Sequence, residues 1–125
     1  MLNLKKLDLK TLDYITPEKV TTLATAYGSI TNNSSVRIGD IIVLSFRFTA
    51  NRTVPAYTSF ITGLPKIKNM TGGTTLFSIW GRTVSGSNVG GMTGLSAYPE
   101  GTSISNWVQY ASGTNVDIIG LYITE

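Results

Sequence analysis

The residues best able to move protons in this 125-residue chain are its seven carboxylates, because histidine and cysteine are both absent. Without them there is no Ser-His-Asp relay, no imidazole or thiolate metal ligand, no cysteine nucleophile and no disulfide. Asp8, Asp13 and Glu18 fall in the first twenty residues, which leaves Asp40, Glu100, Asp117 and the terminal Glu125. Glycoside hydrolysis requires two facing carboxyl groups about 5–9 Å apart, and Glu100 with Asp117 is the one conceivable pair. Glu100 lies in Tyr98-Pro99-Glu100-Gly101, a turn sequence that suits a solvated charge. Asp117 opens the last strand pattern, and Asp40 follows Gly39 in a hairpin turn. No catalytic residue is expected, and no metal or cofactor. The glycine-rich run Gly86-Ser87-Asn88-Val89-Gly90-Gly91 lacks the adjoining Lys-Ser/Thr and the helical pattern of a phosphate cradle. It reads as a long loop between strands, the kind of segment that carries recognition.

Binding chemistry is better represented. Two tryptophans and six tyrosines offer flat faces for sugar C–H groups, with amide and guanidinium groups nearby to bond hydroxyls. Trp107 is predicted to oppose the strand face that holds Ile104 and Val108. Trp80 precedes Gly81-Arg82 at the mouth of the glycine-rich loop. Tyr57 and Tyr98 sit in proline-containing loops, where packing in a core does not explain an aromatic. The candidate ligand-binding residues are Trp107, Tyr98, Arg82, Asn88 and Tyr57. For Trp107, packing against a second sheet or another subunit competes with ligand contact.

The elements that must position these residues are β-strands. From Thr21 onward the pattern is β throughout. Over Ile41 to Thr49, Ile42, Leu44, Phe46 and Phe48 share one face, and Ser45, Arg47 and Thr49 share the other. Gly39-Asp40 joins this strand to a short partner, Ser35 to Ile38. Ser103 to Ala111 is predicted as a strand with Ile104, Asn106, Val108 and Tyr110 on one side. Val116 to Thr124 is apolar on both faces, so its second face needs a cover. Leu23 to Ile30, Thr58 to Thr62, Thr75 to Trp80 and Met92 to Ala97 are weaker strands. Seven or eight short strands separated by Asn, Gly and Pro turns predict an all-β antiparallel sandwich or jelly roll over residues 21–125.

Residues 1–20 differ. Leu2, Leu4, Leu7, Leu9 and Leu12 repeat at alternating steps of two and three, matching neither a strand nor a heptad. Such a segment must find a partner surface, on its own domain or on copies of itself, and reads as a linker or stalk stub. Thr16-Pro17-Glu18 predicts the start of a short helix. No signal peptide pattern and no membrane-length apolar run occurs. The net charge of +3 comes from sparse, scattered residues, 14% of the chain, which argues against nucleic acid as a partner.

The central stretch resembles the C-terminal head domains of phage tail receptor-binding and baseplate proteins of low-GC Gram-positive hosts. The residues that carry this are Val36-Arg37-Ile38-Gly39-Asp40-Ile41-Ile42-Val43-Leu44-Ser45, then Phe46-Arg47-Phe48-Thr49, Thr53-Val54-Pro55 and Phe60-Ile61-Thr62-Gly63-Leu64-Pro65, with Gly120-Leu121-Tyr122 in the last strand. The resemblance spans residues 27–125. It implies a homotrimer of β-sandwich heads at the tail tip of a virion made in the host cytoplasm. Such a head attaches the particle to cell-wall or capsular saccharide, and its N-terminal segment joins other tail proteins. A purely structural baseplate domain and a free-standing carbohydrate-binding module remain the alternatives.

Overall fold

The computed structural model describes residues 16–68, 79–85, 88–94 and 101–125. It is all-β and antiparallel, with no helix among the described residues. The strands are β1 (Glu18–Lys19), β2 (Gly28–Thr31), β3 (Val36–Ile38), β4 (Ile41–Ala50), β5 (Ser59–Ile61), β6 (Ile79–Ser85), β7 (Asn88–Gly94), β8 (Ile104–Ser105) and β9 (Asn115–Ile123). Seven of them form one sheet in the order β1-β3-β4-β9-β6-β7, with β2 also on β4, and β5 pairs with β8 separately.

Alternation along β4 and β9 sets the layers. Ile42, Leu44, Phe46, Phe48 and Ala50 are buried, as are Val116, Ile118 and Tyr122. Each large apolar side chain taken from water contributes roughly 1.5–3 kcal/mol, so this inner face is where the sheet gains its stability. It packs on Phe60, Ile61, Leu64, Ile67, Ile104 and Tyr110 from β5, β8 and the connecting loops. Phe60 sits edge-on between Phe48 and Tyr110, with ring centroids 5.0 and 5.6 Å away. The Tyr122 hydroxyl donates to the Pro65 carbonyl at 2.7 Å, and burial pushes its pKa up.

β2 and β3 form one broken edge along β4. The chain advances from Thr31 to Val36 while β4 runs back only from Arg47 to Val43, so one extra residue is housed as a bulge. Asn32 takes φ 52° there, and the buried Ser35 hydroxyl accepts a hydrogen bond from the Ser45 amide at 2.9 Å.

Several sequence expectations need correction. Thr16-Pro17-Glu18 begins no helix: Glu18 and Lys19 pair with Arg37 and Val36 instead. The free edge of β3 offers backbone partners that a short, β-branched stretch cannot make for itself. Ser103 to Ala111 is not one strand; only Ile104 and Ser105 pair with β5. The buried amide of Asn106 diverts the chain into a loop, which leaves Val108 half exposed. The glycine run is not a long loop either. Asn88 to Gly91 belong to β7, whose register with β6 slips between Arg82 and Val84. The expected strands over 75–80 and 92–97 lie partly outside the described residues.

Two glycines adopt left-handed backbone for different reasons. Gly39 (φ 59°) turns the β3–β4 hairpin with open space around it, whereas a Cβ on Gly63 (φ 78°) would fall onto the Thr22 carbonyl. Gly39→Ala is therefore expected to lose about 1 kcal/mol of stability and Gly63→Ala about 2–3 kcal/mol or more. Urea unfolding of the two variants checks the order, and equal losses would contradict it.

Candidate functional site

Among the described residues, the large apolar side chains left exposed fall into two groups. Tyr57, Trp107 and Val108 stand at one loop end, and Ile41, Trp80, Ile119, Leu121 and Ile123 lie on the outer face of the large sheet. The loop end holds two of the residues that the sequence nominates.

This loop end is organised by Asn106, which is fully buried. Its Oδ1 accepts from the Thr58 amide at 2.9 Å, and its Nδ2 donates to the Pro55 and Val108 carbonyls at 2.9 and 2.8 Å. Its own carbonyl accepts from the Tyr57 amide at 2.9 Å. Just behind, Val54 and Tyr110 exchange both backbone hydrogen bonds, at 2.8 and 2.9 Å. One side chain thus zips segment 55–58 to segment 106–108. A buried amide with this many partners is costly to disturb, since each orphaned group loses about 1–3 kcal/mol.

Tyr57 is pinned in that zip with φ 59°, a region that a tyrosine seldom occupies. Its side chain is 81% exposed, so no burial energy explains the strain. Backbone strain of this kind clusters at active sites, ligand clamps and switch regions. Trp107 branches from the neighbouring hydrogen-bonded segment and is 45% exposed. The sequence pointed to Tyr57 and Trp107 but missed Asn106 as their organiser. The available signal was an amide among Ile104, Val108 and Tyr110 on a face expected to be apolar.

Arg82 is not part of this group. It belongs to a shallow hollow of about 300 Å³ on the outer face of the large sheet, lined by Asn32, Ser45, Arg47, Arg82, Asp117 and Ile119 among others. Arg47 and Arg82 both lie opposite Asp117 in the ladders. The Arg47 Nε and Nη2 donate to the two Asp117 oxygens at 2.6 and 3.0 Å, and Arg82 Nη2 reaches Oδ2 at 3.4 Å. This contact, chiefly the hydrogen bonds from Arg47, holds the Asp117 carboxyl below the ordinary carboxylate range. A carboxyl so placed stays ionised and braces three strands. Nothing in the sequence marked Arg47 and Asp117 as a pair, since their contact depends on the β4–β9 register.

The other nominated positions fall elsewhere. Tyr98 lies outside the described residues, as does Glu100. Asn88 begins β7, its backbone paired with Ser85, and its side chain is outside the described set. Groups of three or more metal-binding side chains are absent among the described residues.

Because folding lowers the Asp117 pKa, its stabilisation is complete above the unfolded carboxylate value, about 3.9, and is lost as pH falls through the lower folded value. Asp117→Asn is expected to be less stable than the parent chain at pH 7. The gap should shrink as pH drops below about 4. Urea unfolding across that range is the check; a gap that stays constant with pH would refute the linkage.

Set against protein-family models, curated proteins and solved structures, the chain matches none.

Proposed function

We propose that this chain is a non-enzymatic recognition head, a β-sandwich of the phage tail-tip kind, that holds cell-surface saccharide at its Tyr57–Trp107 loop end. One observation carries the reading. A tyrosine in strained left-handed backbone is 81% exposed, a tryptophan 45% exposed, and the two segments that carry them are tied together by one buried asparagine. Backbone that is already held in place lowers the ordering cost of binding, and the aromatic faces suit the C–H side of a sugar ring. Backbone polar groups at loop tips complete such a site by bonding hydroxyls. The resemblance in the β3–β4 hairpin and in Gly120-Leu121-Tyr122 supplies the biological setting.

Tyr57→Ala and Trp107→Ala are each expected to weaken binding to cell-wall or capsular polysaccharide by at least tenfold. The unfolding midpoint should move little for Tyr57→Ala, since Tyr57 is 81% exposed and surface changes usually stay within about 0.5 kcal/mol. It should move more for Trp107→Ala, since Trp107 is partly buried. Glycan arrays and pull-down with purified cell walls read the binding. Unaltered binding by both variants would reject this site. No binding to any envelope by the intact chain would favour the scaffold alternative.

A single sugar contact of this size is weak, and the reading includes repetition. Copies displayed together convert millimolar sites into firm adhesion through effective concentration. The homotrimer implied by the resemblance is expected to give a solution mass three times the 13.5 kDa of one chain. Light scattering at micromolar concentration measures this, and a monomer would remove the trimer from the proposal.

A further inference from the structure

The second exposed group is a continuous apolar stripe. On the outer face, Ile41 lies opposite Ile123, Val43 opposite Leu121, and Ser45 opposite Ile119, which in turn faces Trp80. Val36 extends the middle row onto β3. Ile41, Ile119, Leu121 and Ile123 are 45–57% exposed and Trp80 is 39% exposed. A contiguous apolar surface across four strands of a small domain marks a contact with something else.

Where the chain enters the sheet identifies that partner. β1 is the edge strand beside β3, with Lys19 opposite Val36 and Glu18 opposite Arg37. The pairing is antiparallel, so the chain leading into β1 arrives from the Ile38 end of β3. That is the same end at which Ile41 and Ile123 open the stripe. Fifteen residues precede Thr16, and five of them are leucines that have no amphipathic pattern of their own. Fully extended, fifteen residues reach roughly 50 Å. From β1 across β3, β4 and β9 to β6 is only about 19 Å at the usual strand spacing. The inner face of the sheet is already filled by the core, so among the described residues the outer face is the one that leaves apolar side chains exposed to an arriving segment.

We propose that residues 1–15 fold back over the stripe of their own chain, setting Leu2, Leu4, Leu7, Leu9 and Leu12 against Ile41, Ile119, Leu121, Ile123 and Trp80. Residues 1–15 then cover the sheet's outer face. The effective concentration of a segment attached at the edge of its own docking surface favours this over a second copy. The proposal is independent of the saccharide site, which lies on loops outside the stripe.

The test uses the full chain, whose lack of cysteine lets one introduced thiol carry a single label. A nitroxide on Ser45→Cys, in the row of Ile119 and Trp80, is expected to strip most of the intensity from the amide signals of residues 2–12, with recovery on reduction. Adding Leu7→Ser and Leu9→Ser should restore those signals in the labelled chain and raise the fluorescence of a dye that binds apolar surface. Unattenuated signals in the labelled parent chain would overturn the proposal. A mixed sample, with the nitroxide on unenriched chain and the isotope on unlabelled chain, separates the sources. Attenuation of equal size there would assign the stripe to a second copy and overturn it as well. Its absence there, alongside attenuation in the singly labelled chain, is the supporting result.

Discussion

Pairing of β4 with β9 joins segments some 70 residues apart into a ladder of nine facing positions, from Ile41–Ile123 to Thr49–Asn115. Neither strand can be displaced by one residue without exchanging its faces. A slip would bring Ser45, Arg47 and Asp117 into the core and put Phe46, Phe48 and Ile118 in water. The cost, several buried side chains at roughly 1.5–3 kcal/mol each together with buried charge, exceeds the few kcal/mol that stabilise a domain of this size. The ladder register is therefore unique, and every outer-face juxtaposition follows from it. Arg47, Asp117 and Arg82 meet because three strands are held in that one alignment. So do the rows of isoleucine, leucine and tryptophan farther along.

Loops that cross the far side of the core are fixed by another means. β5 and β8 are too short to align anything by themselves, and they lie in a region of isolated bridges, Ala24–Thr62, Val54–Tyr110 and Ile67–Thr124. Side chains there substitute for ladders. Asn106 bonds three backbone groups through its amide, and the Thr124 hydroxyl reaches the Lys66 carbonyl at 2.7 Å while buried. A loop tied by side-chain amides can hold a residue such as Tyr57 in a conformation that a strand would never permit. The left-handed backbone of Tyr57 thus arises where regular pairing stops.

This division explains which parts of the fold the sequence discloses. β4, β9 and the Gly39-Asp40 hairpin were legible because their alternation is long and strict, and alternation is a property of neighbouring residues. Ser103 to Ala111 alternates nearly as well, yet only its first residues stay in a strand, because the Asn106 side chain bonds the Thr58 amide and the Pro55 carbonyl, 48 and 51 residues away. The segment at Thr16-Pro17 carries a helix-start signature, yet Glu18 and Lys19 join an edge that only the assembled sheet creates. For the glycine run, local composition suggested a loop although Asn88 to Gly91 belong to β7, since glycine lowers strand propensity without forbidding the pairing. At the site, Tyr57 and Trp107 could be nominated by type and by their setting in turns. The Arg47–Asp117 contact could not, because no pattern within either strand encodes the register between them.

The two exposed groups are suited to different partners for a reason rooted in backbone hydrogen bonding. Along the outer stripe the peptide groups of β4 and β9 are consumed by the ladder, and among the described residues the side chains over the three apolar rows include a single hydroxyl, that of Ser45. A sugar laid there would bury hydroxyls against isoleucine and leucine with little to bond them, at a penalty that stacking on one Trp80 ring does not offset. A leucine-bearing segment faces no such penalty. It adds apolar area to apolar area and leaves its own polar groups at the solvent side. At the loop end the ladder gives way to irregular backbone tied by the Asn106 amide, with Tyr57 and Trp107 exposed on it. Flat, hydrogen-bond-saturated surface therefore goes with chain-on-chain contact. The hydroxylated ligand proposed for the loop end asks of a chain without histidine or cysteine no chemistry beyond shape.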